Sequence, residues 1–188
     1  MRISVLLTVL PMKSLATIPL LFLLCVSLCS CPYSSIYKLD DNPSIYVEEV
    51  LLGKWATFVK RPGTEKEEPV KMILGKKNDT EYNIAFIGYA NELRPYRVVT
   101  ADSVLGTAFM SSINGRQFLN INIKSQIYIA ELRYEEGKLS LLPLVEHFTS
   151  KMIFNNTELR TSVAVHYKTR VHPMFDEDFC LKDMVKVN

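Results

Sequence analysis

The sequence predicts a mainly β domain: an antiparallel meander that closes into a barrel of about eight strands, with one or two short helices in its C-terminal third. Two observations predict this fold. From Val47 onward, short runs rich in valine, isoleucine, tyrosine and phenylalanine alternate with clusters of turn residues. The runs recur at the regular spacing expected of a sandwich or barrel, and residues 31–188 have a length that suits one domain.

Residues 1–30 are predicted to be a signal peptide that precedes this domain. Lys13 is followed by an uncharged apolar run from Leu15 to Leu28, which is the order of a basic n-region and an apolar h-region. The run is short for a membrane-spanning helix, which needs about 20 apolar residues. The biological start at Met1 or at Met12 stays open.

The apolar run ends in Leu28-Cys29-Ser30-Cys31, which resembles the lipobox of bacterial lipoproteins. The resemblance implies that Cys31 is acylated, and that the exported chain is anchored to the inner or outer membrane, facing the periplasm or cell surface. Two or three acyl chains give stable anchoring. An ordinary signal peptide with incidental cysteines and a retained anchor helix stay open. If Cys31 carries the lipid, Cys180 has no cysteine partner and no disulfide is expected.

Residues 31–46 are predicted to be a lipid-anchored tether, because the segment is polar and contains two prolines. The barrel domain is predicted to occupy residues 47–188. Its first strands are predicted at residues 53–60, 69–77 and 82–90, since apolar side chains recur there at alternate positions or in short runs.

The middle of the chain is predicted to continue the meander. Residues 96–113 contain two further extended runs, and Asn114-Gly115 after them is a strong hairpin signal. Residues 117–124 form the next strand, with apolar and asparagine side chains on opposite faces. Residues 126–144 read as another hairpin, whose turn is the Glu-Glu-Gly-Lys stretch at 135–138.

The C-terminal third predicts helical material and a closing strand. Residues 145–154 place apolar side chains on one helical stripe. Residues 162–175 fit either a short helix that ends before Pro173 or a further strand. Residues 179–187 suit the strand that closes the barrel.

A second family resemblance lies at the start of the first strand. Gly53-Lys54-Trp55 resembles the Gly-x-Trp start of lipocalins and other calycin barrels, and Trp55 is the only tryptophan. The resemblance implies that the tryptophan packs across the closed end of a lipocalin-like barrel, where a basic residue from a late strand often stacks on it. The stretch from Ile127 to Leu144 also resembles the central hairpin of small uncharacterised bacterial lipoproteins.

The charge pattern argues against a nucleic-acid partner. Of 22 basic residues, Arg2 and Lys13 lie in the leader, which leaves 20 basic against 20 acidic residues in the rest of the chain. A nucleic-acid binder shows a clustered basic excess instead. The net charge of zero therefore predicts no nucleic-acid binding.

The sequence contains no catalytic motif that we recognise, and no enzyme activity, cofactor or metal is predicted. Glu146 and His147 are adjacent, so they diverge on a helix and make a poor acid–base pair. The acidic residues 176–178 follow His172 and could in principle bind a cation, although such a cluster is usually a solvated turn. A hydrolase would need His147 or His166 to lie beside a nucleophile.

Asn120 and Asn122 are the weak candidates for ligand binding. They share one face of the predicted strand at 117–124, and buried amides need hydrogen-bond partners. We favour an outward orientation, which would make them surface residues. The leading functional hypothesis is a lipid-anchored envelope barrel that binds a small apolar or amphipathic ligand. The alternative is a barrel filled by its own side chains, acting as a structural or protein-interaction module.

Overall fold

The computed structural model describes residues 32–60, 67–88, 103–169 and 173–188. Nine strands and one α-helix, α1, form the described part of the chain, together with 3₁₀ turns at Glu49–Leu51 and Glu177–Phe179. The strands are β1 (Ser34–Ser35), β2 (Gly53–Lys60), β3 (Glu67–Lys76), β4 (Glu81–Ile87), β5 (Ser103–Ile113), β6 (Arg116–Ile123), β7 (Gln126–Glu135), β8 (Lys138–Pro143) and β9 (Leu181–Val187), and α1 spans Asn156–Thr169.

Strands β2 to β9 close into an eight-stranded antiparallel barrel, as the sequence predicted. Each strand from β2 to β8 pairs with the next along the chain, and β9 pairs with both β8 and β2. The barrel has two ends. We call the end at which β2, β4, β6 and β8 finish the mouth, and the end at which they begin the closed end.

Two of the hairpin turns are those that the sequence indicated, whereas the β6–β7 turn at Lys124-Ser125 was not indicated. Asn114 and Gly115 have φ values of 52° and 78°, and Glu136 and Gly137 have 52° and 79°. Two consecutive positive φ values define the type I′ turn, which matches the right-handed twist of paired strands. Glycine at the second position removes the steric penalty that a side chain would meet there.

The barrel interior is filled by alternate side chains of the eight strands. On β6 the interior residues are Leu119, Ile121 and Ile123, at most 4% exposed. Alternation places every second apolar residue inside. The interior cluster contains Leu51, Trp55, Val70, Met72, Leu74, Tyr82, Ile84, Phe86, Ala108, Met110, Leu119, Ile121, Ile123, Ala130, Leu132, Leu139, Leu141, Phe179, Leu181 and Met184.

A second apolar core lies on the outer face of the barrel wall. Phe118 and Ile129 point outward from β6 and β7 and are buried beneath the N-terminal segment and α1. From those coverings, Leu39, Leu159 and Val163 pack into the same cluster at 0–1% exposure. Part of the outer face of this wall is therefore apolar and buried, like the interior face.

The helix predicted at residues 145–154 is wrong. Val145 forms an isolated bridge with Pro32, and Phe148 is buried with its ring edge-to-face on Tyr33. Residues 145–154 thus form turns, and their apolar side chains pack from these turns and not from a helix. For residues 162–175 the helical alternative is confirmed as far as Thr169; residues 170–172 lie outside the described part of the chain.

Part of the segment predicted as a tether packs onto the barrel. Ser34 and Ser35 form β1, which pairs with Tyr128 and Ile127 of β7. The Tyr33 amide donates to the Leu144 carbonyl at 2.7 Å. β8 pairs with β7 only from Ala130 onward, so the backbone N–H and C=O groups at the start of β7 have no partner on β8. β1 pairs with this part of β7 and satisfies those groups.

Candidate functional site

The candidate sites are the two ends of the barrel, the N-terminal segment and one charged cluster on the outer wall. The mouth holds the cavity in which a barrel of this size would bind a ligand. Ile123 and Pro143 line it as the last residues of their strands, Phe86 as the next-to-last residue of β4, and Leu181 as the first residue of β9. Pro32 lies against the same cavity.

The mouth cavity is small and apolar. Its volume is about 40 Å³, and apolar atoms form its lining. Small-molecule pockets usually measure roughly 300–1,000 Å³ and contain several convergent polar groups. Tyr128 contributes to the lining, and burial raises the pKa of its hydroxyl, so it adds no charge at neutral pH. The space fits a group of roughly the size of one water molecule.

Trp55 fills the closed end of the barrel. Its side chain is 1% exposed, and its indole Nε1 donates to the Leu51 carbonyl at 2.8 Å. The ring of Tyr134 meets it edge-to-face at a centroid distance of 6.0 Å. The ammonium of Lys186, from β9, lies 5.5 Å from the centre of the indole ring. This is the arrangement that the Gly53-x-Trp55 resemblance implied, including the basic residue from a late strand.

Gly53 allows Lys186 to reach the tryptophan. Gly53 has φ +131°, a conformation that residues with side chains rarely adopt. A Cβ atom at this position would lie 2.7 Å from Cε of Lys186. The lysine therefore crosses directly over the glycine, and its Nζ also donates to the Val50 carbonyl at 3.3 Å.

Asn120 points outward from the barrel but is 1% exposed, because the N-terminal segment covers it. Its Oδ1 accepts a hydrogen bond from the Leu39 amide at 2.7 Å. Its Nδ2 donates to Oγ of Ser111 at 2.8 Å and to the Phe109 carbonyl at 3.4 Å. Its donor and acceptor groups are both engaged within the chain. Asn122, two residues further along the same strand, is exposed.

Asn156, the first residue of α1, holds the same N-terminal segment from the other side. Its Oδ1 accepts from the Lys38 amide at 2.9 Å, and its Nδ2 donates to Asp41. One turn further along the helix, Arg160 bonds Asp40 at 2.6 Å and the Ser112 carbonyl at 2.7 Å. Barrel wall and helix thus clamp residues 38–41 between them.

The charged cluster on the outer wall centres on a buried carboxylate that the sequence analysis missed. Glu131 is 2% exposed, and its Oε1 accepts from Arg133 Nε at 2.7 Å and from Arg116 Nη1 at 3.0 Å. The Arg133 guanidinium also lies 5.6 Å from the centre of the Phe175 ring. The hairpin register could have revealed the cluster, since it places residue 131 opposite Phe118, two positions from Arg116.

Two open grooves border this cluster on the outer wall. One, of about 300 Å³, is lined by charges of both signs, among them Arg133, Lys138, Glu177 and Lys182. The other, of about 430 Å³, shares Arg133 and adjoins Glu131. Both grooves lie outside the barrel.

The residues considered for catalysis or metal binding do not come together. His147 and Glu146 are exposed, whereas His166 is buried with Nδ1 3.0 Å from the Phe148 carbonyl. His172 lies outside the described residues. Within the described ranges, no group of three histidine, cysteine, aspartate or glutamate side chains is placed to hold a metal.

Cys180 is a buried thiol at the start of β9. Burial raises its pKa to about 12, and the nearby Glu177 carboxylate acts in the same direction. Since thiolates are the reactive form of cysteine, this residue is suited to packing and not to nucleophilic chemistry.

No protein-family model, curated protein or solved structure matches the chain. The closed antiparallel barrel of eight strands is compatible with a lipocalin-like fold. Among the described residues, no helix has the length and apolarity needed to cross a membrane.

Proposed function

We propose that the protein is a lipid-anchored barrel of the bacterial cell envelope that acts through its outer surface, as a structural or protein-interaction module without enzymatic activity. The observation that carries this proposal is the filled interior, where the mouth cavity measures only about 40 Å³. The grooves on the outer wall, by contrast, reach about 300 and 430 Å³.

The lipid anchor rests on the four residues that end in Cys31 and on the apolar leader before them. The described fold begins at Pro32, whose backbone is bridged to Val145. Cleavage before Cys31 would therefore leave every described element of the barrel intact. Localisation follows from the anchor: the mature chain is exported and faces the periplasm or the cell surface.

Intact-mass spectrometry of membrane-extracted protein tests the anchor. We expect a mature chain that begins at Cys31 and carries acyl mass, and we expect Cys31→Ala to lose both. Cys29→Ala is the matched control, since that residue leaves with the leader and the variant should still be acylated. An unacylated chain cut at another position would contradict the proposed anchor.

The filled interior is tested with 1-anilinonaphthalene-8-sulfonate, an apolar fluorescent probe. The native barrel should show no saturable binding of one probe per chain, and native mass spectrometry should find no retained small molecule. Phe86→Ala is the positive control, because removing a ring that lines the mouth cavity should create space for the probe. Stoichiometric binding by the unmodified protein would contradict the proposal.

A second candidate function is the binding of a small apolar ligand at the mouth. One observation favours it: the cavity there is lined by apolar atoms. A ligand that enters it would have to displace side chains such as Phe86 or Phe179. The probe experiment separates the two functions.

A further inference from the structure

We infer that the mouth of the barrel faces the lipid bilayer and that the closed end points away from it. The inference rests on the proposed acylation of Cys31. It specifies an orientation that a flexible tether would leave undefined.

The point at which the chain leaves the barrel is the first argument. Pro32 lines the mouth cavity together with Phe86 and Leu181, so it lies across the opening of the barrel. Cys31 is bonded to Pro32, and consecutive Cα atoms across a trans peptide are about 3.8 Å apart. Acyl chains on Cys31 therefore start at the mouth.

The segment that follows Pro32 cannot swing away from the wall without losing buried contacts. Tyr33 and Leu39 are 9% and 1% exposed. The Tyr33 amide donates to the Leu144 carbonyl and the Leu39 amide donates to Oδ1 of Asn120, each at 2.7 Å, so the segment is held at two places. Pairing of β1 with β7 holds it between them. The anchor point is thus fixed relative to the barrel.

Exposed apolar side chains on the wall near the mouth are the second argument. Phe58, Ile87 and Leu105 are 68%, 38% and 71% exposed, and each lies within three residues of the mouth end of its strand. Exposed apolar side chains next to an acyl anchor gain free energy by entering the interfacial region of a bilayer. The closed end also exposes apolar side chains, since Val50 and Val185 are 45% and 50% exposed. The position of the anchor, and not the exposed side chains alone, therefore sets the orientation.

Fluorescence quenching in vesicles tests the orientation. Gln126→Cys and Lys138→Cys place a label on the exposed first residue of β7 at the mouth and of β8 at the closed end. Cys180 is buried and does not compete for the maleimide. The labelled, acylated full chain is reconstituted into phosphatidylethanolamine–phosphatidylglycerol vesicles that contain nitroxide lipids. We expect at least threefold stronger quenching at position 126 than at position 138.

A linker variant tests whether the clamp causes the orientation. Eight glycine and serine residues inserted between Cys31 and Pro32 would span about 16 Å and should make quenching at the two positions equal. Equal quenching without the linker would overturn the inference alone. A difference that persists with the linker would overturn the clamped anchor point as the cause of the orientation. An absence of acyl mass in the same preparation would overturn the proposed anchor, and the inference with it.

Discussion

Replacing Asn120 with alanine should destabilise the protein, although the residue lies on the outer face of the barrel. The side chain joins the N-terminal segment to the wall through the Leu39 amide and two groups of β5. Asn120→Ala removes the acceptor of the Leu39 amide and the partner of the Ser111 hydroxyl. Both Leu39 and Ser111 are at most 1% exposed, so water does not replace the lost bonds.

The magnitude follows from the two groups left without partners. A buried polar group that loses its hydrogen bond costs about 1–3 kcal/mol. Ser111 Oγ loses one donor and keeps its own hydroxyl proton to donate, whereas the Leu39 amide loses its acceptor and is fixed in the backbone. We therefore expect the free energy of unfolding to fall by about 2–4 kcal/mol. With a typical urea m value, the transition midpoint would fall by roughly 1–2 M.

Urea unfolding followed by the fluorescence of Trp55 measures this change at a site remote from the substitution. Asn122→Ala is the matched control, because Asn122 lies on the same face of the same strand but is exposed. We expect the control to stay within about 0.5 kcal/mol of the unmodified protein. Hydrogen exchange at the Leu39 amide should also accelerate in Asn120→Ala alone. Equal stability of the two variants would refute the role of the amide.

Three further predictions concern the closed end, the buried thiol and the charged cluster. Gly53→Ala should lower the free energy of unfolding by more than about 1 kcal/mol because of its positive φ and its clash with Lys186. Adding Lys186→Ala should recover part of the loss in a double-mutant cycle, and strict additivity would contradict the clash. The Cys180 proton leaves the unfolded chain near pH 9.0 but the native chain only at about 12, so stability falls as the pH rises through this window. Urea unfolding from pH 8 to 11 should show a smaller fall in Cys180→Ala, and identical pH profiles would contradict the shift. Glu131→Gln should cost about 1–2 kcal/mol in urea unfolding, because a neutral amide binds the two guanidinium groups less strongly. Glu135→Gln, on the exposed part of the same strand, is its control, and equal effects would argue against the cluster.

The barrel could be predicted because the alternation of apolar and polar residues, and the residue preferences of tight turns, depend only on residues close together in the sequence. Asn114-Gly115 and Glu136-Gly137 specify their hairpins within two residues, and the apolar positions between them select the interior face. The position of Trp55 and its basic neighbour followed from the Gly53-x-Trp55 resemblance. These features depend on residues that are close in sequence or on a short motif.

The N-terminal segment could not be predicted in the same way. Its polar composition is typical of a tether, yet its contacts join residues far apart in the chain, such as Leu39 with Asn120. Asn120 was expected to face outward from the barrel, and it does. Its burial depends on the N-terminal segment that covers it, and the alternation of apolar and polar residues along the strand does not reveal that segment. The start of α1 did carry a local signal. Oδ1 of Asn155 accepts from the Glu158 amide at 2.8 Å, in a capping pattern readable from the sequence.

The energetic cost of opening the interior favours a function on the outer surface. The mouth cavity measures about 40 Å³, and the smallest ordinary ligand pockets measure roughly 300 Å³. Enlarging the cavity from about 40 to about 300 Å³ would cost about 6 kcal/mol, at about 24 cal/mol per Å³ of cavity. This is a large part of the roughly 5–15 kcal/mol of free energy that usually stabilises a domain. A ligand would have to supply this energy before it gained any affinity. The outer grooves need no such opening, so a partner can bind there to the barrel as it stands.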